Sequence, residues 1–414
     1  MAGLVPAIHA SISLLAKKSW MPGTRPGMTT EVCCATYKFM RIVILGAGPA
    51  GLYLGYLLKR RRADADVAVI EQNPADATFG FGVVFSDRAL EFLREGDEET
   101  FAAIAPQMES WDDMTLVHRN ERVVIDGIGF AAIGRLKLLQ LLQQRLRSVG
   151  LAPEFSRTVA SLDEFGDADL VVGADGVNSL VRRSLADEFG ASVTYLANHF
   201  AWFGTAQPYD TLTQTFRHTP IGDFNAHHYR YAPGRSTFIV ETDDATFARA
   251  GFARMEESES RSLCQKIFAD ALGGHPLISN NSIWRRFPLV WNRNWQHGKY
   301  VLIGDALHTA HFSIGSGTRL AMEDAIALDR ALAAHGDDVG AALPAFEAAR
   351  RPIVEKLVTG ANASAAWYER FAEHMELAPA EFAMSYITRS GRIDIERLRK
   401  LSPRFVERYE RECG

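Results

Sequence analysis

The residues best suited to chemistry in this sequence begin with a glycine-rich turn, Gly46-Ala47-Gly48-Pro49-Ala50-Gly51. The first glycine permits a tight turn, the second lets the backbone approach a phosphate, and the third lets a helix pack closely on a strand. Free N–H groups at the start of that helix attract negative charge. Glu71, with Gln72 beside it, follows at the distance where a carboxylate accepts hydrogen bonds from ribose hydroxyls. The pattern predicts a dinucleotide site, FAD or NAD; a turn without a ligand is the alternative.

The segments around the turn must position it. Residues 41–45 form a short apolar run rich in β-branched side chains, which predicts a buried parallel strand. A helix is expected from about residue 50 to residue 62, and a second strand at 67–70 ends just before Glu71. Together these segments form a βαβ unit of about 30 residues, the size of a dinucleotide-binding half-fold.

The rest of the chain alternates between buried-strand runs and helical patterns. From 192 to about 242 the longer alternating runs predict an antiparallel sheet with one exposed face. From 340 onward the pattern predicts amphipathic helices with Arg350 and Arg351 on their polar side. The remaining predicted elements are a hairpin at 115–125, a helix at 136–149, a strand at 170–172, a helix at 256–272, strands at 284–291 and 300–303, and a helix at 317–334.

Two further motifs narrow the cofactor. One is Gly173-Ala174-Asp175-Gly176, continuing to Arg182; the other is Gly304-Asp305-Ala306-Leu307-His308, with Gly315-Ser316-Gly317 after it. In this order and at this separation they resemble the DG and GD motifs of the class A flavoprotein monooxygenases, of the 4-hydroxybenzoate hydroxylase type. The resemblance covers Met40 to about Arg411. It implies an α/β fold: a Rossmann-like FAD-binding domain with an inserted antiparallel β-sheet substrate domain and C-terminal helices.

The resemblance also implies a set of cofactor contacts. Asp305, after Gly304, would bond a ribityl hydroxyl of FAD, and the backbone from Gly315 through Gly317 to Thr318 would face the flavin's pyrimidine edge. The reaction implied is hydroxylation of an electron-rich aromatic ring, with NADH or NADPH as transient reductant and O2 as co-substrate.

Two more residues take cofactor roles by the same resemblance. Asp175 belongs to a segment that supports both FAD and the nicotinamide cofactor. Arg135, at the start of its helix, matches the arginine that contacts the FAD pyrophosphate; an ordinary surface charge at a helix end is the alternative.

One loop departs from the family pattern. Most relatives have Pro-Pro between the GD motif and the glycines, where this chain has His311-Phe312. Because the loop borders the reactive face of the flavin, His311 is the candidate catalytic residue, able to orient or deprotonate a ring hydroxyl or amine. A histidine satisfied by the backbone is an equal alternative. His227 and His228 lie on a predicted strand, where alternation turns one of them inward, and simple packing is the alternative for both.

Several stretches narrow the substrate class. Five stretches resemble the branch of the family that hydroxylates aryl-CoA thioesters, of the salicyloyl-CoA or 2-aminobenzoyl-CoA type: residues 80–86, 202–205, 224–227, 236–241 and 311–315. Arg60, Arg61 and Arg62, or else the basic C-terminal helices, are candidates for contacts to CoA phosphates, with a solvated face as the alternative for each. A free aromatic or indole substrate, such as a tryptophan derivative, is the alternative substrate. From other classes, a flavin halogenase lacks its W-x-W-x-I-P segment here, and a non-catalytic FAD-binding protein would not explain the DG and GD motifs.

Composition limits the classes of protein to consider. The 414 residues are 47% hydrophobic and 23% charged, with a formal charge of -5, which argues against a nucleic-acid binder. No apolar run approaches the ~20 residues that cross a bilayer. The four cysteines make no metal spacing and no disulfide framework. We therefore expect a cytoplasmic protein without nucleic-acid, membrane or metal partners; a homodimer is one oligomeric state that the sequence allows.

The predicted domain organisation is discontinuous. Residues 1–39 are expected to be a disordered leader, with the native start at Met40 and a weak targeting helix as the alternative. The FAD-binding domain is expected at 40–190 and 298–340. The substrate sheet is expected at 191–297, and a C-terminal helical region at 341–414.

Overall fold

The computed structural model of the protein describes residues 40–78, 80–86 and 90–414. The predicted leader at 1–39 lies outside these residues, and the start at Met40 stays a prediction. The strands are β1 (Arg41–Leu45), β2 (Asp66–Ile70), β3 (Gly82–Ser86), β4 (Glu109–Trp111), β5 (Met114–His118), β6 (Glu121–Ile125), β7 (Phe130–Gly134), β8 (Leu170–Gly173), β9 (Ala191–Thr205), β10 (Leu212–Thr219), β11 (Gly222–Ala232), β12 (Arg235–Thr242), β13 (Leu277–Ile278), β14 (Arg285–Asn292), β15 (Gln296–His297) and β16 (Tyr300–Leu302).

Helices separate and cover these strands. They are α1 (Pro49–Arg61), α2 (Glu91–Gly96), α3 (Glu98–Ile104), α4 (Arg135–Ser148), α5 (Leu180–Ser184), α6 (Ala186–Phe189), α7 (Asp244–Ala250), α8 (Glu257–Ile267), α9 (Ala269–Leu272), α10 (Gly317–Ala334), α11 (Val339–Tyr368), α12 (Phe371–His374), α13 (Pro379–Thr388), α14 (Ile395–Leu401) and α15 (Pro403–Cys413). None of the helices within the described ranges is long and apolar enough to cross a membrane.

The first sheet has the strand order β15-β16-β8-β1-β2. Its central strands pair in parallel, with Ile42 opposite both Val67 and Leu170, and their side chains are buried on both faces as expected for a sheet between helices. The carboxyl ends of β1, β8 and β16 therefore lie together at one edge. The glycine turn and the DG and GD motifs follow these three strands, so the predicted βαβ unit and its later strands are confirmed.

The second sheet has the order β13-β9-β12-β11-β10-β5-β6, with β14 also pairing with β9. The predicted hairpin at 115–125 joins this sheet through parallel pairing of β5 with β10. The sheet thus includes strands outside 191–297, although the division into domains itself stays a prediction. A third, small antiparallel sheet has the order β3-β7-β4.

The prediction of one exposed face for the second sheet is wrong. Successive residues of β12 are buried on both faces, from Ser236 to Thr242. One face packs on helices α7 to α9, where Phe238 contacts Phe268. The other face packs on the C-terminal helices, where Phe216 contacts Phe382. Short polar side chains therefore occupy buried positions, which a local alternation pattern cannot distinguish from exposed ones.

The prediction that Arg350 lies on a polar helix face is also wrong. Its side chain is 5% exposed, and it forms ion pairs with Glu323 and Asp324, both at 2.8 Å. The carboxylates of α10 compensate its charge, which allows the arginine to lie inside the helix pair. Arg351, the next residue of the same helix, is half-buried and pairs with Glu347.

Candidate active site

The glycine turn has the geometry that a phosphate cradle needs. Gly46 has φ +103°, and its N–H donates to the Ile70 carbonyl at 2.7 Å. A Cβ at Gly46 would come 2.3 Å from the Ala174 carbonyl oxygen, and one at Gly51 would come 2.0 Å from the Gly46 oxygen. A Cβ at Gly48 would meet nothing within 4 Å. Gly46 and Gly51 therefore make the turn possible. Gly48 borders open space at the N-terminus of α1, where a pyrophosphate fits.

Glu71 lies beside this turn at the end of β2. Its Oε2 accepts a hydrogen bond from the Ala47 N–H at 2.9 Å, and its Oε1 accepts from the backbone and side-chain nitrogens of Asn73 at 2.9 and 2.7 Å. These bonds fix the carboxylate against the turn. Gln72, next to it, is exposed. A ribose contact at these two residues stays a prediction.

A cavity of about 950 Å³ opens in front of the turn, between the first and second sheets. Its volume lies within the range of ligand sites in proteins, roughly 300–1,000 Å³. The cavity brings residues from all three sequence motifs to one place. The predicted site residues on its wall are Gly48, Pro49, Ala50, Arg135, Gly304, Asp305, Gly315, Gly317 and Thr318. A wall that contains the N-termini of α1 and α10 and the Asp305 carboxylate fits an extended dinucleotide such as FAD.

Asp175 does not line the cavity itself but lies between two residues that do. Its Oδ2 accepts from the Leu180 N–H at 2.6 Å, while its neighbours Ala174 and Gly176 line the cavity. Its Oδ1 is buried without a hydrogen-bond partner among the described residues. The geometry gives Asp175 a role in shaping the DG turn, and a direct contact to a cofactor stays a prediction.

Sequence reasoning missed the polar group that fixes the GD turn. Asp324 of α10 is fully buried and accepts from the Gly304 N–H at 3.0 Å, from His308 Nε2 at 2.9 Å and from Arg350 Nε at 2.8 Å. Burial raises the pKa of this carboxyl, but His308 and Arg350 lower it more, so the net pKa is below its usual range. A signal was present in the sequence, because Asp324 lies four residues from the apolar positions Leu320 and Leu328 on the core-facing side of its helix.

His311 lies deeper than predicted. It is 1% exposed and does not belong to the cavity wall, which its neighbour Phe312 lines instead. Its Nδ1 bonds Ser313 Oγ at 2.8 Å, and Ser313 Oγ bonds Ser364 Oγ at 2.7 Å. Burial, followed by the charge of Arg389, lowers the pKa of His311 to about 3. A catalytic role for His311 therefore stays a prediction without a direct contact to the cavity.

The two strand histidines point to opposite faces of the second sheet. His228 bonds Thr215 Oγ1 through Nε2 at 2.9 Å and stacks on Phe238, on the side of the covering helices. His227 lines the cavity and is 3% exposed. Burial, followed by Arg389, lowers the pKa of His227 to about 3.

The three arginines predicted to contact CoA phosphates form ion pairs with aspartates of the protein. Arg60 pairs with Asp97 at 3.0 Å, and Arg61 pairs with Asp329 at 2.9 Å and with Asp337 at 3.0 Å. Arg62 also pairs with Asp337. A contact of this cluster with a CoA phosphate stays a prediction. Arg61 and Arg62 connect the end of α1 to α10 and the following turn, and Arg60 connects it to the start of α3.

Comparison with known proteins agrees with this geometry. Residues 40–361 match the family model described as an FAD binding domain. The chain belongs to this family. The flavoprotein is 42% identical over 361 residues to salicyloyl-CoA 5-hydroxylase of Streptomyces sp, an alignment that covers 85% of this chain and 70% of that protein. It is 36% identical to 3-hydroxy-4-methyl-anthranilyl-[aryl-carrier protein] 5-monooxygenase of Streptosporangium sibiricum, over 86% of this chain and 95% of that protein.

A third relative and the solved structures extend the comparison. The flavoprotein is 35% identical to protodeoxyviolaceinate monooxygenase of Chromobacterium violaceum, over 84% of this chain and 94% of that protein. A point mutant of 2-methyl-3-hydroxypyridine-5-carboxylic acid oxygenase superposes with a TM-score of 0.68 at 19% identity, covering 85% of this chain and 96% of that one. At that identity the structural likeness concerns the fold alone. The predicted fold is confirmed, and so is the predicted class: the flavoprotein is an FAD-dependent aromatic monooxygenase that uses NAD(P)H and O2.

Proposed function

We propose that this flavoprotein hydroxylates an electron-rich aryl group that reaches the cavity as a thioester, of the salicyloyl-CoA or 2-aminobenzoyl-CoA type. Two of its relatives are named for aryl groups on coenzyme A or on a carrier protein, and both carriers end in a phosphopantetheine arm. The observation that carries the proposal is the gradient of exposure along the cavity. One end is closed and apolar, and the other opens to solvent beside two arginines.

The closed end is suited to an aromatic ring. Ile239 and Tyr229 are buried there, and Trp202 and Phe312 complete the wall. Apolar and aromatic side chains bind a ring through burial and edge or face contacts. The same walls exclude water from the place where the ring meets the cofactor, which protects a reactive oxygen donor from decay.

The open end, which we call the mouth, is formed by Tyr195, Ile283, Arg285 and Arg286. Tyr195 is 57% and Ile283 51% exposed, and both arginines are exposed where β14 begins. Arginine recognises phosphate oxygens through its planar set of donors. An acyl group in the closed end would leave its thioester arm crossing this mouth, with the phosphates near the arginines.

The cofactor roles follow from the wall of the cavity. Gly48 and the N-terminus of α1 would bind the pyrophosphate, with Arg135 opposite, and Asp305 would accept a hydrogen bond from a ribityl hydroxyl. The N-terminus of α10, at Gly317 and Thr318, would stabilise negative charge on the ring system. When bound, FAD takes electrons from NAD(P)H and uses them to activate O2 for hydroxylation of the ring.

A paired substitution at the mouth tests the substrate class. In the Arg285→Ala/Arg286→Ala double variant we expect KM for an aryl-CoA to rise at least about tenfold, because two phosphate contacts are lost. KM for the N-acetylcysteamine thioester of the same acid, which lacks the phosphates, should stay unchanged. Arg254→Ala, an exposed arginine outside the cavity wall, is the matched control.

Each outcome decides the proposal. Equal effects of the double variant on both thioesters would contradict a phosphate contact at the mouth. Faster NAD(P)H oxidation with free salicylate or a tryptophan derivative than with any thioester would contradict the thioester itself.

Two further predictions have separate tests. Light scattering tests whether the protein forms a homodimer, and cell fractionation tests whether it is cytoplasmic.

A further inference from the structure

The imidazole of His227, on the inner wall of the cavity, has no hydrogen-bond partner among the residues that the structure describes. His227 lies on β11, lines the cavity and is 3% exposed. Neither of its ring nitrogens has a hydrogen-bond partner among the described residues. A buried polar atom that forms no hydrogen bond costs roughly 1–3 kcal/mol, so most such atoms in native proteins bind a ligand or an ordered water.

The neighbours of His227 in the sheet are polar on one side and apolar on the other. On one side Gln214 of β10 is its cross-strand partner, and on the other side Ile239 of β12. Trp202 of β9 continues the row beyond Ile239. Directly paired residues point to the same face of a sheet, so Gln214 shares the face on which His227, Ile239 and Trp202 line the cavity.

Gln214 has the same deficit as His227. Its side chain is fully buried, and neither its amide nitrogen nor its amide oxygen has a partner in the described part of the chain. Two adjacent side chains thus present unused donors and acceptors on one face of the sheet. By contrast His228, on the opposite face, bonds Thr215 Oγ1 and is already paired through Nε2.

We propose that His227 hydrogen-bonds the hydroxyl or amino substituent of the aromatic substrate and so sets which ring carbon faces the flavin. The inference rests on the proposed function, because it assigns the substituent of that same ring. A neutral imidazole offers one N–H donor and one lone pair, so it can accept from a phenol or an aniline and donate to an oxygen. Ring carbons cannot make these bonds, and a misplaced ring would leave the imidazole of His227 unpaired again.

The test compares matched ligands that differ only in the substituent. The dissociation constants of salicyloyl-CoA, 2-aminobenzoyl-CoA and benzoyl-CoA for the FAD-loaded protein are measured by calorimetry, together with the three free acids. We expect the wild type to bind salicyloyl-CoA and 2-aminobenzoyl-CoA more tightly than benzoyl-CoA, and the two substituted acids more tightly than benzoate. His227→Phe should reduce this preference about tenfold, the loss of one buried hydrogen bond with its partner left unpaired.

Two further variants separate recognition from general damage. His227→Gln keeps a donor and an acceptor and should restore part of the preference, whereas His228→Phe, on the other face of the same strand, should leave it unchanged. Product analysis gives a second readout, because His227→Phe should also yield a mixture of hydroxylated positions.

The outcomes distinguish this inference from the proposed function. A wild type that prefers substituted thioesters, with the same preference retained in His227→Phe, contradicts the role of His227 alone. A wild type that shows the preference only with free acids contradicts the thioester but still tests His227 through those ligands. A protein that binds no substituted aromatic in either series contradicts both.

Discussion

At the residue scale, the sequence and the structure differ on which histidine matters. His311 drew attention because it replaces an expected proline, yet it lies behind Phe312 with its Nδ1 bonded to Ser313. His227 could not be distinguished from His228 by alternation alone. The two histidines differ because helices cover the face of the sheet that carries His228, whereas the face that carries His227 borders the cavity.

The two buried histidines predict acid sensitivity. Burial lowers the pKa of both His227 and His311 to about 3, against about 6.5 in an unfolded chain. Between these values the unfolded chain binds protons that the native protein does not, so their contribution to stability is lost as pH falls from about 6.5 toward 3. Each of the two histidines should lower the unfolding free energy by about 1 kcal/mol for each pH unit within that range.

Urea unfolding of the wild type and of His227→Phe at several pH values measures this effect. The fall in unfolding free energy between about pH 6.5 and pH 5.5 should be smaller in the variant by about 1 kcal/mol. An identical fall in both proteins would show that His227 binds protons equally in the folded and the unfolded state, which would contradict a lowered pKa.

At the element scale, the glycine turn separates folding from cofactor binding. Gly48 has φ -74° and ψ -178°, an extended conformation that alanine adopts, and a Cβ there would meet nothing within 4 Å. Gly48→Ala should therefore change the unfolding free energy by less than about 0.5 kcal/mol. The added methyl would occupy the space of the pyrophosphate, so the dissociation constant of FAD should rise at least about tenfold.

Gly51→Ala is the matched comparison. Its Cβ would lie 2.0 Å from the Gly46 oxygen, so the turn itself must move, and the apoprotein should lose about 3 kcal/mol of stability. Apoprotein unfolding and FAD titration together measure both variants. If Gly48→Ala binds FAD as tightly as the wild type, the open space beside Gly48 is not the phosphate site.

The elements themselves followed well from sequence where local pattern decides them. β1, α1, β2 and α10 lie within a residue or two of the predicted positions, because buried strand runs, a glycine turn and helical periodicity are local signals. The burial of both faces of the second sheet did not follow, and neither did the internal position of Arg350. Both depend on tertiary contacts: the sheet is covered by α7 to α9 on one face and by the C-terminal helices on the other, and Arg350 is paired with carboxylates of α10.

At the scale of the whole molecule, three motifs separated along the chain meet at one cavity. Parallel strands bring the glycine turn, the DG segment and the GD segment to the same edge of the first sheet, and the second sheet closes the opposite side. This convergence was predictable, because the motifs follow strands of one sheet. The position of His227 beside Gln214 and Ile239 on one face of the second sheet was not predictable, because it depends on the register between β10, β11 and β12.

The most direct test of the complete account is isotope transfer. The FAD-reconstituted protein is incubated with salicyloyl-CoA or 2-aminobenzoyl-CoA, NADH or NADPH, and labelled O2, and the acyl group is examined by mass spectrometry. We predict a hydroxylated aryl thioester that has gained one labelled oxygen atom, formed in step with NAD(P)H oxidation. A protein that retains no FAD, or that oxidises NAD(P)H without placing labelled oxygen on any aryl thioester, would contradict the account.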